Sequence, residues 1–147
     1  WRTLTLTANY TYIDSRQDSP FASYDDKRLP LRPAHEAYAK AEARVPVGGH
    51  ELRPWGDLMF TSGNFIDAAN LFQVPSRLLV GVGVKAQLGE HLLFGFEVKN
   101  LTANQVESIT LDPPPSASVS TIPRAVSDFL GYPLPGRAFY LTSEASF

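Results

Sequence analysis

Apolar and polar residues alternate with period two along much of the chain. From Leu4 to Tyr12 the even positions (Leu4, Leu6, Ala8, Tyr10, Tyr12) are apolar or aromatic, and the odd ones (Thr3, Thr5, Thr7, Asn9, Thr11) are small and polar. Leu78, Val80, Val82, Val84, Ala86 and Leu88 alternate with Leu79, Gly81, Gly83, Lys85 and Gln87. Leu92, Phe94, Phe96 and Val98 alternate with Leu93, Gly95, Glu97 and Lys99, and Phe139, Leu141, Ala145 and Phe147 with Tyr140, Thr142, Glu144 and Ser146. Successive side chains of a strand point to opposite faces, so these four segments predict strands.

Two further segments are less direct. Residues 36–45 are strong helix formers by propensity. Yet Ala37, Ala39, Ala41, Ala43 and Val45 alternate unbroken with Glu36, Tyr38, Lys40, Glu42 and Arg44. On a helix this spacing scatters the alanines over opposite sides; on a strand it makes one apolar and one charged face. A strand is therefore predicted. Residues 51–62 set Leu52, Leu58 and Phe60 against Glu51, Arg53, Asp57 and Thr61, with Pro54 expected to weaken the ladder.

Six strands follow, near 2–14, 34–45, 51–62, 76–88, 91–101 and 136–147. The connections alternate: long (15–33), short (46–50), intermediate (63–75), tight (around Gly89 and Glu90), then very long (102–135). The last contains Pro113, Pro114 and Pro115, and its stretch from Pro123 to Leu130, opened by proline and stopped by Gly131, suits a short helix. With up-and-down connectivity the long loops share one side and the short turns the other.

Such strands also suit a half-buried soluble sandwich. Three features weigh against it. The predicted strands, about 11–13 residues, exceed the usual ~5–6 of soluble sheets and match the ~9–11 that cross a bilayer at a tilt. The face opposite the apolar one carries charges of both signs, as a wide, wet interior would. The asymmetry of long loops and short turns is that of an outer-membrane barrel. Lipid offers no hydrogen-bond partners, so a barrel must close, and single-chain barrels have at least about eight strands. The expectation is therefore an all-β, antiparallel, up-and-down transmembrane β-barrel segment: six strands of a larger barrel, with the missing ones upstream. The chain begins and ends inside patterned segments, and its first residues have no charged-then-apolar leader, so no signal peptide is expected.

Composition fits once the geometry is considered. The chain has 147 residues, 13 Lys+Arg against 15 Asp+Glu, and a formal net charge of −2, which argues against a nucleic-acid partner. The absence of cysteine excludes disulfides, thiolate metal sites and thiol nucleophiles. No run approaches the ~18 apolar residues of a spanning helix. Hydropathy alone reads as soluble, but only every second residue of a barrel strand meets lipid.

Specific residues then become informative. Ala8-Asn-Tyr-Thr-Tyr-Ile-Asp14, a loop, and Arg28-Leu-Pro-Leu-Arg-Pro-Ala-His35 resemble late barrel strands of TonB-dependent outer-membrane receptors. Phe96-Glu-Val-Lys-Asn-Leu-Thr-Ala-Asn-Gln105 is similar to that family's Val-x-Asn-Leu passage, and Gly131-Tyr-Pro-Leu-Pro-Gly-Arg-Ala-Phe-Tyr-Leu141 through Phe147 to its last strand, with Pro-Gly-Arg before an aromatic and a terminal Phe. Order and spacing agree over essentially the whole chain. Three residues depart: Ser143 on the lipid face, and Gln105-Val106 in place of an acidic and aromatic continuation. The resemblance implies the C-terminal part of a 22-stranded, plugged barrel in the bacterial outer membrane. It also implies energised uptake of a scarce nutrient, most often a ferric siderophore, sometimes cobalamin or a glycan. Implied partners are lipid, the rest of the barrel and its plug, TonB acting through an N-terminal region outside this chain, and the barrel-assembly machinery. A C-terminal aromatic strand end, here Phe139, Leu141 and Phe147, belongs in the family to the signal that this machinery reads. Phe147 also suits an aromatic girdle.

Candidate sites fall into two groups. Extracellular loops offer Tyr24, Arg28, Arg32, Phe65, Phe72, Arg124, Phe129 and Tyr132. Arginine pairs with negative oxygens and stacks on rings, which suits an aromatic, anionic iron chelate; the same residues also suit loop packing. The lumen face carries Glu36, Lys40, Glu42, Arg44, Glu51, Arg53, Asp57, Lys85, Glu97, Lys99 and Glu144, read as a cross-paired wall with plug contact as a secondary role. His35, His50 and His91 do not cluster, and Asp14, Asp18, Asp25 and Asp26 lack EF-hand spacing, so no metal or cofactor is expected. Catalytic residues are not expected either: Gly-x-Ser-x-Gly, Walker and His-Glu-x-x-His patterns are absent. Other classes left open are a soluble ligand-binding β-barrel or sandwich module and a porin or adhesin without TonB coupling.

Overall fold

The computed structural model describes residues 3–71, 73–89, 91–104 and 136–146. The alternating segments become β1 (Thr3–Tyr12), β2 (His35–Val47), β3 (His50–Thr61), β6 (Arg77–Leu88), β7 (Leu92–Lys99) and β8 (Ala138–Ala145). Two short strands, β4 (Asn64–Phe65) and β5 (Gln73–Val74), form a separate hairpin. The six long strands make one antiparallel sheet in the order β1-β2-β3-β6-β7-β8, a meander with β1 and β8 as open edges.

The alanine-rich segment is a strand throughout, because on β2 its alanines meet apolar partners: Ala43 faces Leu4, Ala41 faces Leu6, and Ala39 faces Leu58. The β2–β3 turn is tighter than expected. Val47 pairs with His50 across Gly48 and Gly49, whose φ angles of 55° and 84° suit the two-residue turn that matches strand twist. Pro54 leaves β3 intact: it pairs with Val84 on the β6 side. Toward β2, the register from Glu36–Thr61 to Glu42–Trp55 resumes only at Val45–Leu52, so the proline interrupts one ladder of two.

Two expectations are corrected. The intermediate connection carries the β4–β5 hairpin, whose Val74 is fully buried. Two-residue strands are too short to reveal alternation. β7 and β8 have eight residues each, shorter than expected. β7 ends where Asn100 (φ 50°) turns the chain, its side chain bonding both the amide and the carbonyl of Asn104. The six strands form an open antiparallel sheet that does not close into a barrel. The expected helix at 123–130 and most of the 102–135 loop lie outside the described residues.

Register sorts the side chains onto two faces. One runs Leu6, Ala41, Gly56, Val82, Val98, Phe139 across the six strands, without a charge. It is open to solvent: Leu6 is 70% and Leu141 80% exposed. Buried apolar side chains among the described residues are Ala34, Val74 and Val98, so the sheet encloses no core of its own. Long connections leave one end of the strands, between β1 and β2, β3 and β6, and β7 and β8; short turns join the strands at the other end.

Candidate functional site

The second face is polar and centred on Trp55. Ladder pairs put Glu36, Lys40, Glu42, Arg44, Glu51, Arg53, Asp57, Lys85, Glu97, Lys99 and Glu144 all on it, through the contacts Glu36–Thr61, Lys40–Asp57, Glu42–Trp55, Thr3–Arg44, Arg53–Lys85, Glu51–Gln87, Glu97–Tyr140, Lys99–Ala138 and Leu93–Glu144. The expected polar grouping is thus brought together. Trp55 was not singled out by sequence, although its position between Arg53 and Asp57 has the same parity.

Trp55 lies flat because β6 has no side chain beneath it. A Cβ on Gly83, its cross-strand partner, would come within 2.7 Å of the indole. Two lysines from different strands approach that ring: Lys40 Nζ lies 5.3 Å from its centroid and Lys99 Nζ 4.8 Å. Each is also neutralised along its own strand, Lys40 by Glu42 at 3.0 Å and Lys99 by Glu97 at 3.7 Å. The ring, Lys40, Glu97 and Lys99 bound a concavity of about 220 Å³ with Tyr38, Asp57 and Lys85. These half-exposed pairs contribute little stability individually; their effect is to fix the Trp55 surface.

Next along the strands, Arg53 stands directly opposite Lys85. Like charges so placed repel, and the guanidinium is tied to Glu51 of its own strand. Charges on this wall are therefore compensated mainly along strands, with an adjoining concavity of about 240 Å³ between Arg53, Lys85, Gln87, His91 and Glu144. A third, of about 300 Å³, is more apolar, with Tyr38, Met59, Leu79 and Tyr140 in its lining.

The loop candidates are placed differently. Arg28 is held through its backbone: its amide donates to Asn70 Oδ1 at 2.7 Å, and its carbonyl accepts from Asn70 Nδ2 at 2.8 Å. Leu31 N donates to the Phe65 carbonyl at 2.7 Å, and Gln17 Nε2 to the Ala68 carbonyl at 2.7 Å. The first long loop and the β4–β5 connection are thus one bonded unit, with Phe65 half-buried and Tyr24, Arg28 and Arg32 exposed on it. Arg16 is held by Asp26 at 3.0 Å and Asp14 at 3.3 Å. The Asp26 hydrogen bond, then the charge of Asp14, pushes its guanidinium above the ordinary arginine value. Asp25 accepts from Ser19 N at 3.3 Å, so these acids bond protein groups. Among the described residues, no group of three or more His, Asp or Glu converges as a metal site. Phe139 and Leu141 lie on the apolar face opposite Val98 and Phe96. Phe72, Arg124, Phe129, Tyr132 and Phe147 fall outside the described residues. Comparison with family models, characterised proteins and solved structures finds no match.

Proposed function

We propose that this chain is part of the wall of a bacterial outer-membrane β-barrel receptor of the TonB-dependent type, serving uptake of a scarce nutrient, foremost a ferric siderophore. The observation that carries the reading is the uncharged, solvent-open face spanning all six strands, back to back with a charged one. Soluble monomers rarely expose contiguous apolar patches beyond a few hundred Å². Lipid on that face and water on the other answer both halves of the pattern, and neighbouring barrel strands would satisfy the open edges of β1 and β8. The polar face then lines the lumen and meets the plug. The bonded loop unit bearing Tyr24, Arg28 and Arg32 faces the exterior, where it meets the ligand. Phe139 and Leu141, with Phe147, present the strand read by the assembly machinery.

The test has two stages. Because six strands alone leave edges that lipid cannot satisfy, the full polypeptide that carries them is refolded from urea with and without phosphatidylcholine vesicles; strand circular dichroism and flotation with the vesicles are expected when lipid is present, and aggregation when it is not. A monodisperse, cooperatively melting monomer in plain buffer overturns the reading in favour of a soluble binding module. In cells, the polypeptide carrying these strands should support uptake of labelled ferric chelate that stops when TonB is deleted. TonB-independent passage would identify a porin.

A further inference from the structure

The apolar face carries an imidazole at its long-loop rim. His35 pairs with Tyr12 across the β1–β2 ladder, so it shares that face with Tyr10 and Tyr12. The Tyr10 hydroxyl lies 2.8 Å from His35 Nδ1. The rings are gathered as well: Tyr10 stacks at 6.1 Å between centroids, and Tyr12 lies tilted at 5.0 Å. Both tyrosines are more than half exposed, at 64% and 59%. The Tyr10 bond commits Nδ1 and leaves Nε2 as the ring's remaining hydrogen-bonding atom. From Ala37 to Val45 the same face of β2 is alanine and valine, and His35 marks where that stripe ends and the loops begin.

We infer that Tyr10, His35 and Tyr12 form a lipid-headgroup site, in which the tyrosine rings lie at the boundary of the hydrocarbon and His35 Nε2–H donates to a headgroup phosphate. This rests on the membrane reading above and adds a partner chemistry to one corner of it. An ionisable group on a lipid-facing surface is costly unless it reaches the interface and a partner there. Aromatic rings with polar tips occupy that level. A phosphate oxygen is an acceptor matched to an imidazole N–H. The fixed Nδ1 sets which nitrogen faces the lipid.

The experiment is phosphorus-to-nitrogen dipolar dephasing in the full polypeptide that carries these strands, reconstituted with phosphatidylcholine vesicles in phosphate-free buffer. Histidines carry ¹⁵N, and the His35 signals are assigned by their loss in His35→Asn. Dephasing is expected at Nε2 and not at Nδ1. In Tyr10→Phe, which frees the ring to turn, it spreads over both nitrogens. A chain that inserts but shows no dephasing at His35 overturns this site and leaves the membrane reading standing. Dephasing that appears in maltoside micelles with added inorganic phosphate, and not in the vesicles, assigns the site to free phosphate and overturns it too. A chain that never enters the vesicles defeats both.

Discussion

At the scale of single residues, the polar wall depends on what is missing from β6. Gly83 leaves the space into which Trp55 lies, and only then can lysines from β2 and β7 meet over one ring. Gly83→Ala adds a methyl where the indole now sits. Overpacking of this kind costs about 1–3 kcal/mol, and the two cation–π contacts, each worth roughly 0.5–1 kcal/mol at an exposed site, are lost with the ring's displacement. Fluorescence in a Trp1→Phe background isolates Trp55. Its emission is expected to shift to the red and gain access to a soluble quencher. Unchanged emission would mean that the glycine is not what seats the ring. Lys99→Met is the milder companion: it removes one cation and leaves the floor intact, so the emission should hold while the urea midpoint falls slightly.

At the scale of elements, the alternation made six strands legible, including β2 against its helical propensity, because each face needed one kind of partner. Their ends were less legible. β7 stops early through Asn100, whose positive φ and side-chain bonds to Asn104 have no periodic signature. Trp55 was hidden because a large aromatic reads as apolar, while parity assigns it to the charged face. The loop unit was hidden because its contacts join residues about forty positions apart through backbone groups. Asn70 is its clamp: at φ 58°, which asparagine tolerates, it bonds both backbone groups of Arg28. Asn70→Ala removes both bonds, each worth about 0.5–1.5 kcal/mol net. Hydrogen exchange at the Arg28 and Leu31 amides should accelerate roughly tenfold or more, and trypsin should cut sooner after Lys27 and Arg28. Amides in β2 and β3 should keep their protection. If protection falls evenly across the sheet, the loops are not a separate unit.

At the scale of the whole molecule, the sheet has its large apolar side chains outside and very few inside, so its stability must come from whatever covers the apolar face. That makes one substitution decisive. Leu58 stands well within the face, between Ala39 and Val80, and is 47% exposed. In water, Leu58→Arg on an open strand position would change stability by no more than about 0.5 kcal/mol and would improve solubility. In lipid the same arginine meets hydrocarbon near the middle of the wall, where the cost is about 2–4 kcal/mol. Thr5→Arg is the matched control: it adds the same charge on the polar face, opposite Glu42. With vesicles present, the full polypeptide carrying Leu58→Arg is expected to float poorly and to unfold at lower urea, while Thr5→Arg matches the parent. Equal behaviour of the two variants would mean that the two faces meet the same solvent, and the wall would have to be reassigned to a sheet in water.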